Sequence, residues 1–197
     1  MHMLKEIRIH GRGGQGVVTS SELLAIAAFN DGKQSQAFPN FGVERSGAPV
    51  EAFVRISDEK INLRQQVYNP DYVIVLDSSL LSTVEVTNGL KDNGLLVINS
   101  DKKPVELGLK TKAKVISFDV SKKAIEILGK PLVNVGVLGA FAAITREVSL
   151  NSLLKAIDQE FESKREIAEK NKNLAELLYK ENLAINEGKS RAGKNGK

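Results

Sequence analysis

Lys5-Glu6-Ile7-Arg8-Ile9-His10, followed at once by Gly11-Arg12-Gly13-Gly14-Gln15-Gly16, is the stretch on which the fold turns. Alternating polar and apolar residues predict a strand, and the glycine run predicts a tight loop. A helix then starts near Gly16 and runs to about Asn30. Its second half, Leu23 to Phe29, is apolar all round, so the helix is expected to be buried on most sides. Asp31-Gly32 ends it, because both residues tolerate the left-handed conformation that closes a helix.

Further strands are predicted at Lys33–Phe38, closed by Pro39, and at the alternating segment Val50–Ser57. Tyr72–Leu76 is a continuous apolar run ending in Asp77, the pattern of a strand covered on both faces. Leu95–Asn99 and Val115–Phe118 read the same way, with short helices expected at Ser79–Val86 and Ser121–Leu128. Asn134–Arg146, rich in Gly and Ala, suits a helix packed closely on its neighbours. Helices are also expected at Ser149–Asp158 and from Ser163 to about Asn186, the last with Ile167, Leu174, Leu177, Leu178 and Leu183 mostly on one stripe. Strands and helices interleaved in this way predict an α/β fold. The expected form is a three-layer Rossmann-like domain with a largely parallel or mixed sheet and C-terminal helices over a face or an edge.

The 197 residues suit one domain, taken here as residues 1–187. The net charge of +4 suggests nucleic acid only until it is located. Residues 188–197 carry four Lys/Arg and no acid, so residues 1–187 are formally neutral. No aromatic residue is interleaved in that basic tail for stacking, and a disordered, soluble end is expected rather than a nucleic-acid arm. The longest mostly apolar stretch, Val133–Ile144, is shorter than the ~20 residues of a membrane span. No export leader is seen, and a cytoplasmic location is expected. Zero cysteines and only two histidines exclude disulfides, a thiolate nucleophile, a Cys-rich zinc site and a cysteine-ligated iron-sulfur cluster.

Gly11, Gly13 and Gly16 match G-x-G-x-x-G after a strand and before a helix. Glycines let backbone approach a ligand, and the amides and dipole of a helix N-terminus favour an anion. Gly11, Arg12, Gly13, Gly14, Gln15 and Gly16 are therefore the candidate binding residues, with Arg12 offering a charged fork and Gln15 an amide. The alternative is that the glycines merely allow close strand-to-helix packing. A dinucleotide site would need an acid about 20 residues on, and counting from Gly16 reaches Gln36-Ala37-Phe38 instead. The Gly-Lys-Ser/Thr ending of a triphosphate-binding loop is absent too. His10, lacking an evident carboxylate partner, is expected to be a packed structural residue, and Asp77 in Asp77-Ser78-Ser79 a helix cap. The polar loop Phe41–Ala48 carries Glu44 and Arg45. No catalytic residue and no metal site is assigned.

The segments Gly11-Arg-Gly-Gly-Gln-Gly-Val-Val-Thr19 and Phe38-Pro-Asn-Phe-Gly-Val-Glu-Arg-Ser-Gly-Ala-Pro-Val-Glu-Ala-Phe-Val-Arg-Ile-Ser57 together closely resemble the gamma subunit of 2-oxoacid:ferredoxin oxidoreductases. The likeness extends to about residue 186 and is greatest to the pyruvate type, or pyruvate synthase. The loop Gly42–Pro49 is more similar to pyruvate or branched-chain types than to the 2-oxoglutarate type. The resemblance implies a complex that converts pyruvate and coenzyme A to acetyl-CoA and carbon dioxide while reducing ferredoxin. It implies alpha, beta and delta type partner subunits, with thiamine diphosphate and iron-sulfur clusters in those partners and no cofactor held tightly by this chain. Within such a complex, residues 11–16 with Arg12 would face the phosphates of coenzyme A or another subunit, and Phe41, Glu44 and Arg45 would lie at an interface. The rival is a free-standing Rossmann-like reductase or ligand-binding protein that uses the loop for a dinucleotide.

Overall fold

The computed structural model describes residues 4–40 and 46–192, with side chains placed as far as Leu183. Six strands form one mixed sheet in the order β2-β3-β1-β4-β5-β6. They are β1 (Lys5–Arg12), β2 (Gln34–Pro39), β3 (Pro49–Ser57), β4 (Tyr72–Val75), β5 (Leu95–Asn99) and β6 (Lys114–Phe118). β1, β4, β5 and β6 run parallel, while β3 lies antiparallel to both β1 and β2. The strand expectations hold to within a residue or two. The insertion of β3 between β1 and β2 is a long-range pairing that no local pattern encodes.

The helices are α1 (Val17–Asn30), α2 (Ser121–Leu128), α3 (Asn134–Thr145), α4 (Leu150–Glu160) and α5 (Arg165–Ala192). All five join one apolar core with the inward residues of the sheet, among them Ile7, Ile9, Val54, Ile56 and Ile74. α3 lies at its centre, with every residue from Asn134 to Ile144 buried. Gly139 is what lets α5 come so close, since a Cβ there would lie 2.2 Å from the carbonyl oxygen of Ala175. On α5, Leu174 and Leu178 are buried as the stripe predicts, whereas Ile167 is 44% exposed. The helix continues to Ala192, beyond the expected end near Asn186, so the basic tail begins inside α5. Residues 193–197 lie outside the described residues. On α1, Phe29 departs from the expectation of burial and points outward.

Among the described residues, no α-helix covers the opposite face of the sheet. Val73, Val75, Leu96 and Ile98 pack there against Leu81, Val84, Val86 and Leu90. The helix expected over Ser79–Val86 is instead a 3₁₀ turn, Ser78–Ser82, followed by irregular chain. Its bonds are of the tighter kind, Leu80 N to Asp77 O and Thr83 N to Leu80 O. Branched Thr83, Val84 and Val86 carry low helix propensity, and the apolar residues of this segment are buried without a helix. The third layer is therefore a thin one of turns and loops. No helix among the described residues is long and apolar enough to cross a membrane.

Candidate functional site

β1 delivers residues 11–16 to the end of the sheet where the parallel strands terminate. Each glycine there has its own reason. A Cβ on Gly11 would lie 2.5 Å from Val17 Cγ2, so that glycine admits the first turn of α1 against the strand. Gly14 and Gly16 have φ of 92° and 76°, in the left-handed region. Gly16 also abuts Asn134 of α3. Packing and backbone freedom thus both operate in this loop.

Gly16 caps α1 without a side-chain hydrogen bond, and the first helical bond runs from Ser20 N to Gly16 O. The amides of Val17, Val18 and Thr19 precede that bond and have no partner within the helix. They border an open cavity of about 550 Å³ lined also by Arg12, Gly13 and Gly14. That arrangement suits a phosphate or carboxylate.

Arg12 and Gln15 do most of their bonding inside the protein. Gln15 Oε1 accepts from the Arg12 amide at 2.7 Å, and Gln15 Nε2 donates to Asp77 Oδ2 at 2.9 Å. Arg12 Nε lies 3.2 Å from the same carboxylate oxygen, its Nη2 donates to Ser79 Oγ at 2.8 Å, and its Nη1 donates to Gly47 O at 3.0 Å. Among the described residues each terminal nitrogen has one such partner, which leaves one hydrogen on each. Backbone bonds Gly13 N to Ala48 O and Gly47 N to Gly13 O join the loop to the turn that enters β3.

Asp77 caps the 3₁₀ turn, its Oδ1 accepting from Ser79 N at 2.9 Å, as the sequence predicts. Its second oxygen adds a link to Gln15 and Arg12 that capping alone did not suggest. Burial pushes the Asp77 carboxyl up, yet the bonds from Ser79 and Gln15 and the charge of Arg12 outweigh it and hold it below the usual range. Beyond Gln15 and Asp77 lies a second, polar crevice of about 410 Å³ at the carboxyl ends of β4, β5 and β6.

His10 is the packed residue expected, 2% exposed. Arg8 Nε donates to its Nε2 at 3.0 Å. The imidazole proton therefore sits on Nδ1, 3.4 Å from Glu51 Oε1. Burial, reinforced by the charge of Arg8, pushes the imidazole down to about 3, so it stays neutral. Glu51 is the carboxylate partner that linear spacing hid, directly across the β1/β3 pair. Phe41, Glu44 and Arg45 lie outside the described residues. Among the described residues there is no group of three His, Cys, Asp or Glu able to hold a metal ion.

The sheet order weighs against a dinucleotide site. In that fold the strand after the first helix lies parallel beside β1 and presents an acid to the ribose. Here antiparallel β3 occupies that place, and β2 ends in Phe38-Pro39 at the sheet edge.

Comparison with known proteins agrees with this geometry. The family model described as pyruvate ferredoxin/flavodoxin oxidoreductase matches residues 6–181. The chain is 57% identical over 154 residues to the pyruvate synthase subunit PorC of Methanosarcina barkeri, covering 78% of this chain and 85% of that relative. It is 50% identical over 177 residues to the common gamma subunit of the pyruvate/ketoisovalerate oxidoreductases of Thermococcus kodakarensis, covering 88% and 95%. The crystal structure of the pyruvate oxidoreductase subunit PORC of Thermotoga maritima superposes with a TM-score of 0.79 at 35% identity, covering 90% of this chain and 96% of that one. A glycine loop stapled at the mouth of this mixed sheet, in a sequence matched from end to end of its core, places the chain in the pyruvate ferredoxin/flavodoxin oxidoreductase family, among its gamma-type subunits.

Proposed function

We propose that this chain serves as the gamma subunit of a cytoplasmic pyruvate:ferredoxin oxidoreductase, and that residues 11–19 receive the phosphates of coenzyme A. Alpha, beta and delta type chains complete the complex and pass electrons to ferredoxin. The sequence has no cysteine, so thiolate-held iron-sulfur clusters belong to those chains, as does thiamine diphosphate. Phe41, Glu44 and Arg45 are assigned to contact with them.

The observation that carries the ligand reading is the open start of α1. Three amides of one helical turn, with no side-chain cap from Gly16, border a cavity wide enough for a phosphate group. Gly14 and Gly16 hold the backbone in conformations that bring it close, and Arg12 lines the same cavity with its positive charge. Coenzyme A supplies the thiol that accepts the acyl group. What this chain does is hold its phosphates and so orient that thiol toward the partner's site.

Reconstitution with Gly13→Val and Arg12→Ala tests the reading. The first change adds bulk to a residue that lines the cavity, and the arginine change removes the rim charge. The KM for coenzyme A is expected to rise about tenfold or more with assembly intact. An unchanged KM in both variants would eliminate the ligand role.

A further inference from the structure

We infer that Asp77, which closes β4, is a positioning residue that sets the glycine loop for coenzyme A through Gln15. The inference rests on the coenzyme A reading above. Two donors and a cation converge on one carboxylate: the Ser79 amide donates to Oδ1 and Gln15 Nε2 to Oδ2, while the Arg12 guanidinium pairs with Oδ2 through its charge, Nε lying 3.2 Å away. Gln15 relays this anchorage, because its other amide atom accepts from the Arg12 backbone and closes the turn from within. The loop is thereby tied across the β1/β4 boundary at residues that do not belong to the binding amides themselves.

The chemistry makes each tie directional. Gln15 must donate with one end and accept with the other, so its orientation is fixed by the acceptor-only carboxylate of Asp77. A carboxylate also partly neutralises Arg12, whose guanidinium is held on Ser79 and Gly47. If Asp77 were only a cap for the 3₁₀ turn, any good capping residue would replace it.

That difference supplies the test, made in the assembled complex. Asp77→Ser keeps a capping oxygen for Ser79 and loses the reach to Gln15. It is expected to raise the coenzyme A KM about tenfold, with kcat at saturating coenzyme A, the pyruvate KM and the melting temperature near wild type. Gln15→Glu sets two carboxylates against each other and should also raise the coenzyme A KM. Combining Gln15→Glu with Asp77→Asn restores a donor facing an acceptor with the pair's net charge unchanged, and should recover most of the loss. Hydrogen exchange of residues 11–16 in ligand-free complex reads the tie directly, and should quicken about tenfold in Asp77→Ser and recover in the double variant.

Wild-type exchange in Asp77→Ser, or no recovery in the double variant, overturns the inference whatever coenzyme A does. A rise in both KM values together with a lower melting temperature also overturns it, since that is a structural role alone. If exchange quickens while Arg12→Ala and Gly13→Val leave the coenzyme A KM untouched, the tie stands and the ligand reading falls.

Discussion

The two faces of the sheet are built from the same strands and are dry for opposite reasons. Ile7 and Ile9 of β1, with Val54 and Ile56 of β3, enter the helix-covered core. The residues between them, Arg8, His10 and Arg55, are just as well buried, at 7%, 2% and 0% exposure. There most of the buried polar atoms have partners, although Arg55 Nη1 has none among the described residues. Arg55 Nε donates to Glu6 Oε1 at 2.9 Å and its Nη2 to Gln65 O at 2.7 Å, while the guanidinium lies over the Phe38 ring. Arg8 donates to the carbonyls of Val86 and Asn88. At β1 and β3, one face is held by contacts without direction and the other by directed hydrogen bonds, while Val73, Val75, Leu96 and Ile98 continue that second face as an apolar cluster.

The sharpest way to break this comparison is to remove a large group from each face. Arg55→Ala should cost the full chain about 3–5 kcal/mol, because Glu6 is left with an uncompensated, partly buried charge. Phe141→Ala in the core of α3 should cost a similar ~3–5 kcal/mol through a cavity. The faces part in the repair. Arg55→Met with Glu6→Leu should regain most of the loss, since apolar pairs often replace a buried ion pair without penalty, whereas a cavity at position 141 has no charged partner to remove. Urea unfolding of the four proteins checks this, and a double variant no better than Arg55→Ala would show that the ionic face is irreplaceable.

That contrast also sets how much could be read in the sequence. Alternation in Lys5–His10 and Val50–Ser57 located β1 and β3, because one face of each strand is apolar whatever covers the other. The same alternation suggests a polar face in water, and Arg8, His10 and Arg55 are in fact covered by loop residues such as Gln65, Gln66 and Asn88. Nothing local announces a loop that folds back 10 or 80 residues along the chain. At the candidate site the glycines and Asp77 were legible, because turn geometry and capping are local properties. The link from Gln15 to Asp77, 62 residues apart, was not. It depends on β4 lying beside β1, and the only hint was an acid closing an apolar strand.

The ionic face should also be the acid-sensitive one. In the folded chain the His10 imidazole takes a proton only near pH 3, against an ordinary value of 6.5. The unfolded chain therefore binds that proton first as pH falls, and acid favours unfolding. The stability this group supports is intact above 6.5 and is lost progressively from there down to about 3. The expected slope is about 1.4 kcal/mol per pH unit. His10→Gln keeps an acceptor for Arg8 and a donor for Glu51 without a titrating ring, so its stability should change less between pH 7 and 5. Equal slopes in urea titrations of both proteins would remove His10 from the account.

Ile9 is the control one residue away, with its side chain through the sheet on the helix-covered side. Ile9→Val deletes one methylene-sized group from a packed core, at a cost of about 0.5–1.5 kcal/mol. Its cross-strand partners, Ala52 of β3 and Ile74 of β4, are apolar and carry no proton to exchange. The cost should therefore be the same at pH 7 and pH 5, while the effect of His10→Gln changes between them. The two faces share only the backbone of β1, and that backbone is held in register by β3 and β4 on either side. A pH-dependent cost at position 9 would mean that protonation at His10 shifts the strand itself, and the sheet would no longer insulate one kind of burial from the other.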